Sequence, residues 1–351
     1  MQKILIQWYD KNKKNMPWRV NTNPYRIWIS EVMLQQTQVS TVIPYYKKWM
    51  EKFPKIEKVA AADIDEILKL WEGLGYYSRA QNIKKACDII MNQFNGKIEN
   101  VSNLNELPGI GDYIASAINS IAFSEPHPVI DGNVKRVASR LWEMKIINTA
   151  DIKKLKTILD IEISKERPGC FNQAIMDLGR EICKPQKPHC EKCPISQFCQ
   201  SLQNNTIAKY PYKLKKKKVP IVDVVVAYIQ NHKKDFIITK RPANKMLGGL
   251  WELPGGKRES GESFKSALIR EIREELNIDI QISGKIGEIE HTYSHMKINL
   301  HAYTCSMIEK NATIKVNEAQ DLKWIQFKNI GQYSFPKANH KLFQKMRELY
   351  D

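Results

Sequence analysis

The chain has 351 residues, 42% of them apolar and with both signs of charge plentiful, which excludes a disordered tail and leaves room for two ordinary domains. Its formal net charge of +17 points toward a polyanionic partner through counterion release, although any lysine-rich protein shares that balance. The opening MQKILIQWYD is too short an apolar run for a signal peptide. The longest apolar stretch, VVVAYI at 224–229, is far below a membrane span, so a cytosolic chain with reduced thiols and no membrane contact is expected.

From the start to about residue 200 the apolar spacing is helical, as at Ile4, Leu5 and Trp8 and again at Ile83, Ala86, Cys87 and Ile90. Strand-like alternation is scarce there. The stretch TIAKYPYKLKKKK then brings six lysines, one proline and no acidic residue, which reads as an exposed linker over 206–219. Beyond it, 221–229 and 235–240 are rich in valine and isoleucine and read as strands, 263–276 reads as a helix, and further short strands follow. The expected organisation is multidomain: an all-α module over 1–205, the basic linker, and an α+β module over 220–351.

Inside the first module, LPGIGDYIAS at 107–116 places two glycines around one apolar residue, directly before a helical run that starts near Tyr113. A short helical piece over 102–107 would make this a helix–hairpin–helix, with Gly109 and Gly111 letting backbone N–H groups approach an anion. No strand precedes it and no Gly-Lys-Ser/Thr follows, which disfavours a nucleotide loop. An isolated Pro-Gly-x-Gly would be a plain interhelical turn. This one is followed by VIDGNVKRVASR, where Asp131 sits in a turn that opens a helix carrying Lys135, Arg136 and Arg140.

Seven cysteines are present. Cys87, Cys170 and Cys305 are scattered and read as small buried apolar residues. Cys183-x6-Cys190-x2-Cys193-x5-Cys199 is crowded, and in a reduced compartment its natural occupant is a metal. One Cys-x-x-Cys pair leaves zinc open, but four thiolates in one loop suit an iron–sulfur cluster better. Lys184, Lys187, His189 and Lys192 make the same loop basic enough to grip a phosphate backbone.

A carboxylate turn, a glycine hairpin and a four-cysteine loop together resemble the helix-hairpin-helix DNA glycosylases of the endonuclease III superfamily. PYRIWISEVMLQQTQVSTVIPYY at 24–46 and LWEGLGYYSRAQNI at 70–83 resemble the MutY-type, adenine-specific branch. The resemblance implies an all-α glycosylase domain with a [4Fe-4S] cluster on Cys183, Cys190, Cys193 and Cys199. It implies that Glu31 is the general acid at adenine N7, Asp131 the charge-stabilising carboxylate, and Asn133 and Tyr113 supporting groups at the sugar. It places Gln36 and Tyr76 in the duplex, with Gly109, Gly111, Lys135 and Arg136 contacting DNA. Lyase members carry lysine where this chain has Tyr113, and a phenol forms no Schiff base, so a monofunctional enzyme is implied. Burial and the Asp131 charge should hold a proton on Glu31 near neutral pH.

Residues 256–278, GKRESGESFKSALIREIREELNI, match the Nudix pattern with Glu271, Glu274 and Glu275 on one helix face, a patch that suits Mg²⁺ and a diphosphate. Asn277 replaces the pattern's glycine, and asparagine tolerates the left-handed conformation needed there. MutY-type enzymes carry a Nudix-like domain that recognises 8-oxoguanine through a Phe-Ser-His loop; the matching residues here are Tyr293, Ser294 and His295. The implied partner is double-stranded DNA holding an adenine:8-oxoguanine or adenine:guanine mispair, met by a monomer in the bacterial cytosol or nucleoid. Two alternatives stand beside this one: a bifunctional glycosylase/lyase of the endonuclease III kind, and a pyrophosphohydrolase of oxidised nucleotides whose helical half only binds DNA.

Overall fold

The computed structural model describes residues 1–212, 219–293, 296–309 and 312–350. The helices in chain order are α1 (Gln2–Asn12), α2 (Pro24–Leu34), α3 (Val39–Lys52), α4 (Ile56–Ala61), α5 (Ile64–Trp71), α6 (Ser78–Gln93), α7 (Asp112–Ala122), α8 (Gly132–Leu141), α9 (Thr149–Glu162), α10 (Pro168–Glu181), α11 (Gln200–Gln203), α12 (Phe264–Leu276) and α13 (Lys337–Tyr350). Two compact units form: Met1–Ala61 with Asn82–Lys216, and Ala62–Gln81 with Lys217–Asp351. Residues 62–81, expected in the first module, thus cluster with the second half of the chain.

Local chemistry starts the helices of the first unit. Asn23 accepts the Arg26 N–H at 3.0 Å and Pro24 occupies the first turn of α2, a pairing that fixes where this helix begins. Asn148 and Asp151 close a capping box on α9. The spacing read at Ile83, Ala86, Cys87 and Ile90 becomes a fully buried stripe of α6. A second core joins α1, α8, α9 and α10 through Leu5, Val134, Leu155, Phe171 and Ile175, with Cys183, Cys193 and Cys199 packed on its edge. The helical piece expected over 102–107 is a single 3-10 turn, Leu104–Glu106.

The second unit contains two sheets. Strands β1 (Ile221–Ile229), β4 (Gly255–Lys257), β5 (Ile280–Thr292) and β6 (Lys297–Met307) order as β4-β1-β6-β5, with β1 parallel to β6; β2 (Phe236–Lys240), β3 (Trp251–Glu252) and β7 (Asp321–Ile325) order as β3-β2-β7. The apolar run of β1 is buried on both faces. Val226 and Tyr228 join one core with Leu342 and Phe343 of α13, while Val225, Ala227 and Ile229 join another with Leu268 and Ile272 of α12. Alternation along a strand divides one sequence run between two helix-covered faces. Asn277 ends α12 in the left-handed conformation (φ 52°, ψ 39°), as its place in the motif requires.

Candidate active site

Glu31 is only 6% exposed, on a helix, α2, that also buries Ile27, Trp28 and Met33. Tyr113, in the first turn of α7, donates its phenolic O–H to Glu31 Oε2. Burial raises the Glu31 carboxyl to about 7; the Tyr113 hydrogen bond opposes the rise, the Asp131 charge adds to it, and Arg19 subtracts. The Tyr113 phenol is itself pushed well up, by burial first and then by the Glu31 and Asp131 charges.

Asp131 arrives from a different helix. It is the N-cap of α8, where its carboxylate accepts the Val134 N–H at 2.6 Å and the Asn133 amide at 2.8 Å. Arg136 in turn donates to Asn133 Oδ1 at 2.7 Å, so the amide is oriented from behind. Gly179 of α10 permits this packing: a Cβ there would lie 2.7 Å from Asn133 Cβ. Burial raises the Asp131 carboxyl too, against the Val134 N–H and the Asn133 amide. The ionised form of Asp131 has these donors and a helix N-terminus, whereas Glu31 has one phenol. Two carboxylates within each other's field thus have unlike environments, which favours a proton on Glu31 and a charge on Asp131. A cleft of about 950 Å³ opens beside them, lined by Tyr113, Ser116, Asn119, Ile130 and Lys135; Glu31 and Asp131 are not among its lining residues.

An ion pair near Glu31 escaped the sequence reading. Arg19 donates in bidentate fashion to Asp177 at 2.7 and 2.9 Å, and both charges act on Glu31. The legible signal was Asp177 itself, set on the face of α10 that also carries Ala174 and Leu178, where a charge needs a partner.

At the hairpin, Gly109 takes φ 78° and a Cβ there would meet Asn82 Cβ at 2.7 Å, so the turn requires glycine. Gly111 has open space over its Cα and caps α7, leaving its face clear for an anion. Lys135 is partly exposed. Arg136, expected on DNA, has its guanidinium taken by the protein, as does Arg140 on the same helix. Arg136 donates to Cys183 O at 2.8 Å and Gly179 O at 2.7 Å. Arg140, 3% exposed, donates to Tyr210 O, Lys184 O and Pro185 O and reaches Cys183 Sγ at 3.2 Å. The irregular 183–185 backbone offers carbonyls that accept from both guanidinium groups.

Cys183, Cys190, Cys193 and Cys199 converge on that loop. Burial raises the thiols of Cys190, Cys193 and Cys199, and the neighbouring cysteines, Cys183 among them in every case, add to the rise. Four thiols in one loop, with an arginine at their edge, form a donor set suited to a cationic iron centre. Among the described residues no three His, Cys, Asp or Glu side chains close on a point in the way a single ion requires.

Gln36 is exposed in the turn after α2 with φ 57°, and Tyr76, 42% exposed with φ 48°, heads the turn between α5 and α6. Arg79 fixes the latter turn by donating to Leu74 O and Gly75 O. Tyr77 is buried and accepts from Gly73 N–H, a packing role. Tyr293 is partly buried against the core that includes Trp251 and Phe335; Ser294 and His295 lie outside the described residues. In the Nudix pattern, Glu275 accepts the Gly255 N–H at 3.0 Å and is raised by burial to about 8. Arg270 bridges Glu262, Glu271 and Glu274.

Comparison with known proteins agrees with this layout. Residues 29–159 match the family described as HhH-GPD superfamily base excision DNA repair protein, 183–199 the iron–sulfur binding domain of endonuclease III, and 225–345 the NUDIX domain. An adenine DNA glycosylase of Buchnera aphidicola subsp. Schizaphis graminum is 34% identical over 97% of this chain and 97% of its own. The mouse adenine DNA glycosylase is 30% identical over 98% of this chain and 78% of its own. Among solved structures, a thermostable thymine-DNA glycosylase superposes with a TM-score of 0.53 at 27% identity, covering 57% of this chain and 94% of that one. A non-covalent endonuclease III–DNA complex does so at 0.50 and 25%, covering 58% and 95%. With its buried acid, its capped aspartate and an iron–sulfur loop, the chain belongs to the adenine DNA glycosylases, DNA-binding enzymes of base excision repair.

Proposed function

We propose that the enzyme removes adenine opposite 8-oxoguanine, and opposite guanine, by hydrolysis alone, leaving an abasic site. The observation that carries the chemistry is the Tyr113–Glu31–Asp131 arrangement, in which one carboxyl is raised to about 7 and the other is capped by backbone N–H. Glu31 gives its proton to N7 of an extruded adenine. The bond between the sugar carbon and N9 breaks with its electrons passing to the base, and the positive charge left on the sugar faces Asp131. Water adds at that carbon, and the one proton it loses restores the Glu31 carboxyl. Asn133 holds Asp131, and Tyr113 holds Glu31 at the position where other superfamily members place an amine nucleophile.

Cys183, Cys190, Cys193 and Cys199 would hold a [4Fe-4S] cluster, with Arg140 keeping the loop in register. Bound there, the cluster would supply a rigid tie between the four thiolates of the loop. Gln36 and Tyr76 would fill the gap left by the base, and Gly109, Gly111 and Lys135 would contact the backbone of a duplex bound by a monomer. Tyr293, Ser294 and His295 would read the partner base. The Nudix pattern serves this module structurally: Arg270 ties three of its carboxylates together, and Glu275 supports the Gly255 turn. Neither Mg²⁺ binding nor nucleotide hydrolysis is needed for that role.

Single-turnover release of adenine opposite 8-oxoguanine, guanine and cytosine tests the substrate. Equal rates on all three would remove the partner-base reading. Pyrophosphate release from 8-oxo-dGTP with Mg²⁺, lost on Glu274→Gln, would replace the structural reading of the Nudix pattern with a catalytic one.

A further inference from the structure

The turn that presents Tyr76 is held by residues more than 260 positions downstream, Tyr333, Phe335 and His340. Glu72 ends α5 and directly precedes Gly73, Leu74, Gly75 and Tyr76. Its side chain accepts from Phe335 N–H at 2.9 Å, from His340 Nε2 at 2.6 Å and from Lys69 Nζ at 2.7 Å. Lys69 also donates to Tyr333 O at 2.9 Å. Two further links flank the turn: Lys240 pairs with Asp65 at 2.6 Å, and Gln81 donates to Gly248 O at 2.8 Å. All these residues belong to one compact unit.

Phe335 is fully buried and packs on Phe343 at 5.0 Å, so the N–H that Glu72 accepts is fixed by the core. Tyr293 and Met296 lie against that same core. One hydrophobic cluster therefore has Tyr293 packed against it and contains Phe335, whose N–H is a donor to Glu72. A packed core of this kind transmits displacement instead of absorbing it.

From this geometry we infer that Glu72 and His340 are positioning residues: their hydrogen bond sets the Tyr76 turn from the Nudix-like unit, so that contacts at the Tyr293 loop bear on how Tyr76 enters DNA. Neither residue touches the reacting atoms. The inference rests on the reading above that Tyr76 enters the duplex and the Tyr293 loop meets the partner base.

The test is a double-mutant cycle on the full-length protein, read as single-turnover adenine excision from duplexes with 8-oxoguanine or guanine opposite the adenine. His340→Ala should slow excision opposite 8-oxoguanine by about tenfold, with His340→Gln, which keeps an N–H donor, near wild type. In a Tyr76→Ala background, His340→Ala should add no more than about twofold, because the two changes remove one function. A purely structural defect would multiply in both backgrounds, and that additive result would overturn the inference, as would an unaffected His340→Ala. A wild-type enzyme with equal rates on both duplexes would refute the partner-base reading separately, since the Tyr76–His340 cycle is scored within each duplex.

Discussion

Tyr113 donates a hydrogen bond to the carboxyl of Glu31 across 82 positions of sequence, joining the first turn of α7 to the buried face of α2. This contact fixes the acid and also governs its proton. The phenol stabilises the ionised carboxylate, while burial, the larger effect, raises the acid to about 7.

Excision should therefore fall as pH climbs through about 7, where Glu31 loses its proton. Glu31→Gln should retain duplex binding and lose about 10²- to 10⁴-fold in rate. The same group has a stability signature. Its folded value lies above its ordinary 4.5, so the native state binds more protons between the two values. Its contribution is complete below about 4.5 and is lost as pH rises through 7. Denaturant melts at pH 8 should show Glu31→Gln more stable than wild type by on the order of 1–3 kcal/mol, a gain that shrinks as pH falls through 7 and is gone only below about 4.5.

Tyr113→Phe removes the one hydrogen bond that lowers the Glu31 value. The alkaline limb of the pH–rate profile should move upward, and the rate at pH 7 should change by no more than about tenfold, since the proton is kept while the orientation is weakened. A limb that moves downward would contradict the assignment.

Lys135 and its arginine neighbours should separate cleanly. Lys135→Ala should weaken DNA binding and reduce the salt slope by about one unit, with thermal stability unchanged. Arg140→Lys should instead reduce bound iron per chain and cost about 2–4 kcal/mol, because the Lys184 and Pro185 carbonyls lose their donor. Iron content, salt titration and melting distinguish the two behaviours.

Asn277→Ala should destabilise the Nudix-like unit by about 1 kcal/mol, since alanine resists the left-handed conformation, while Asn277→Gly should be nearly neutral. Urea denaturation followed in both variants measures the difference.

Periodic apolar residues made much of the fold legible: the α6 stripe and the double-sided β1 needed only spacing and residue type. Asn277 was legible because a left-handed helix end admits few residues. The site was legible through motifs, since Glu31 and Asp131 each sit in a run that constrains its neighbours. What stayed hidden was long-range. Nothing local to Asp65, Lys69 and Glu72 says that Lys240, Tyr333, Phe335 and His340 await them. Arg136 reads as a DNA contact, because the carbonyls that accept from it and from Arg140 come near only once the cysteine loop lies against α8.

The most direct test is strand nicking on duplexes with adenine opposite 8-oxoguanine, with and without alkali, for wild type and Glu31→Gln. Nicks at the adenine position are expected from the wild-type enzyme only after alkali, and from Glu31→Gln at a rate lower by about 10²- to 10⁴-fold. Nicks without alkali, or undiminished nicking by Glu31→Gln, would contradict this account.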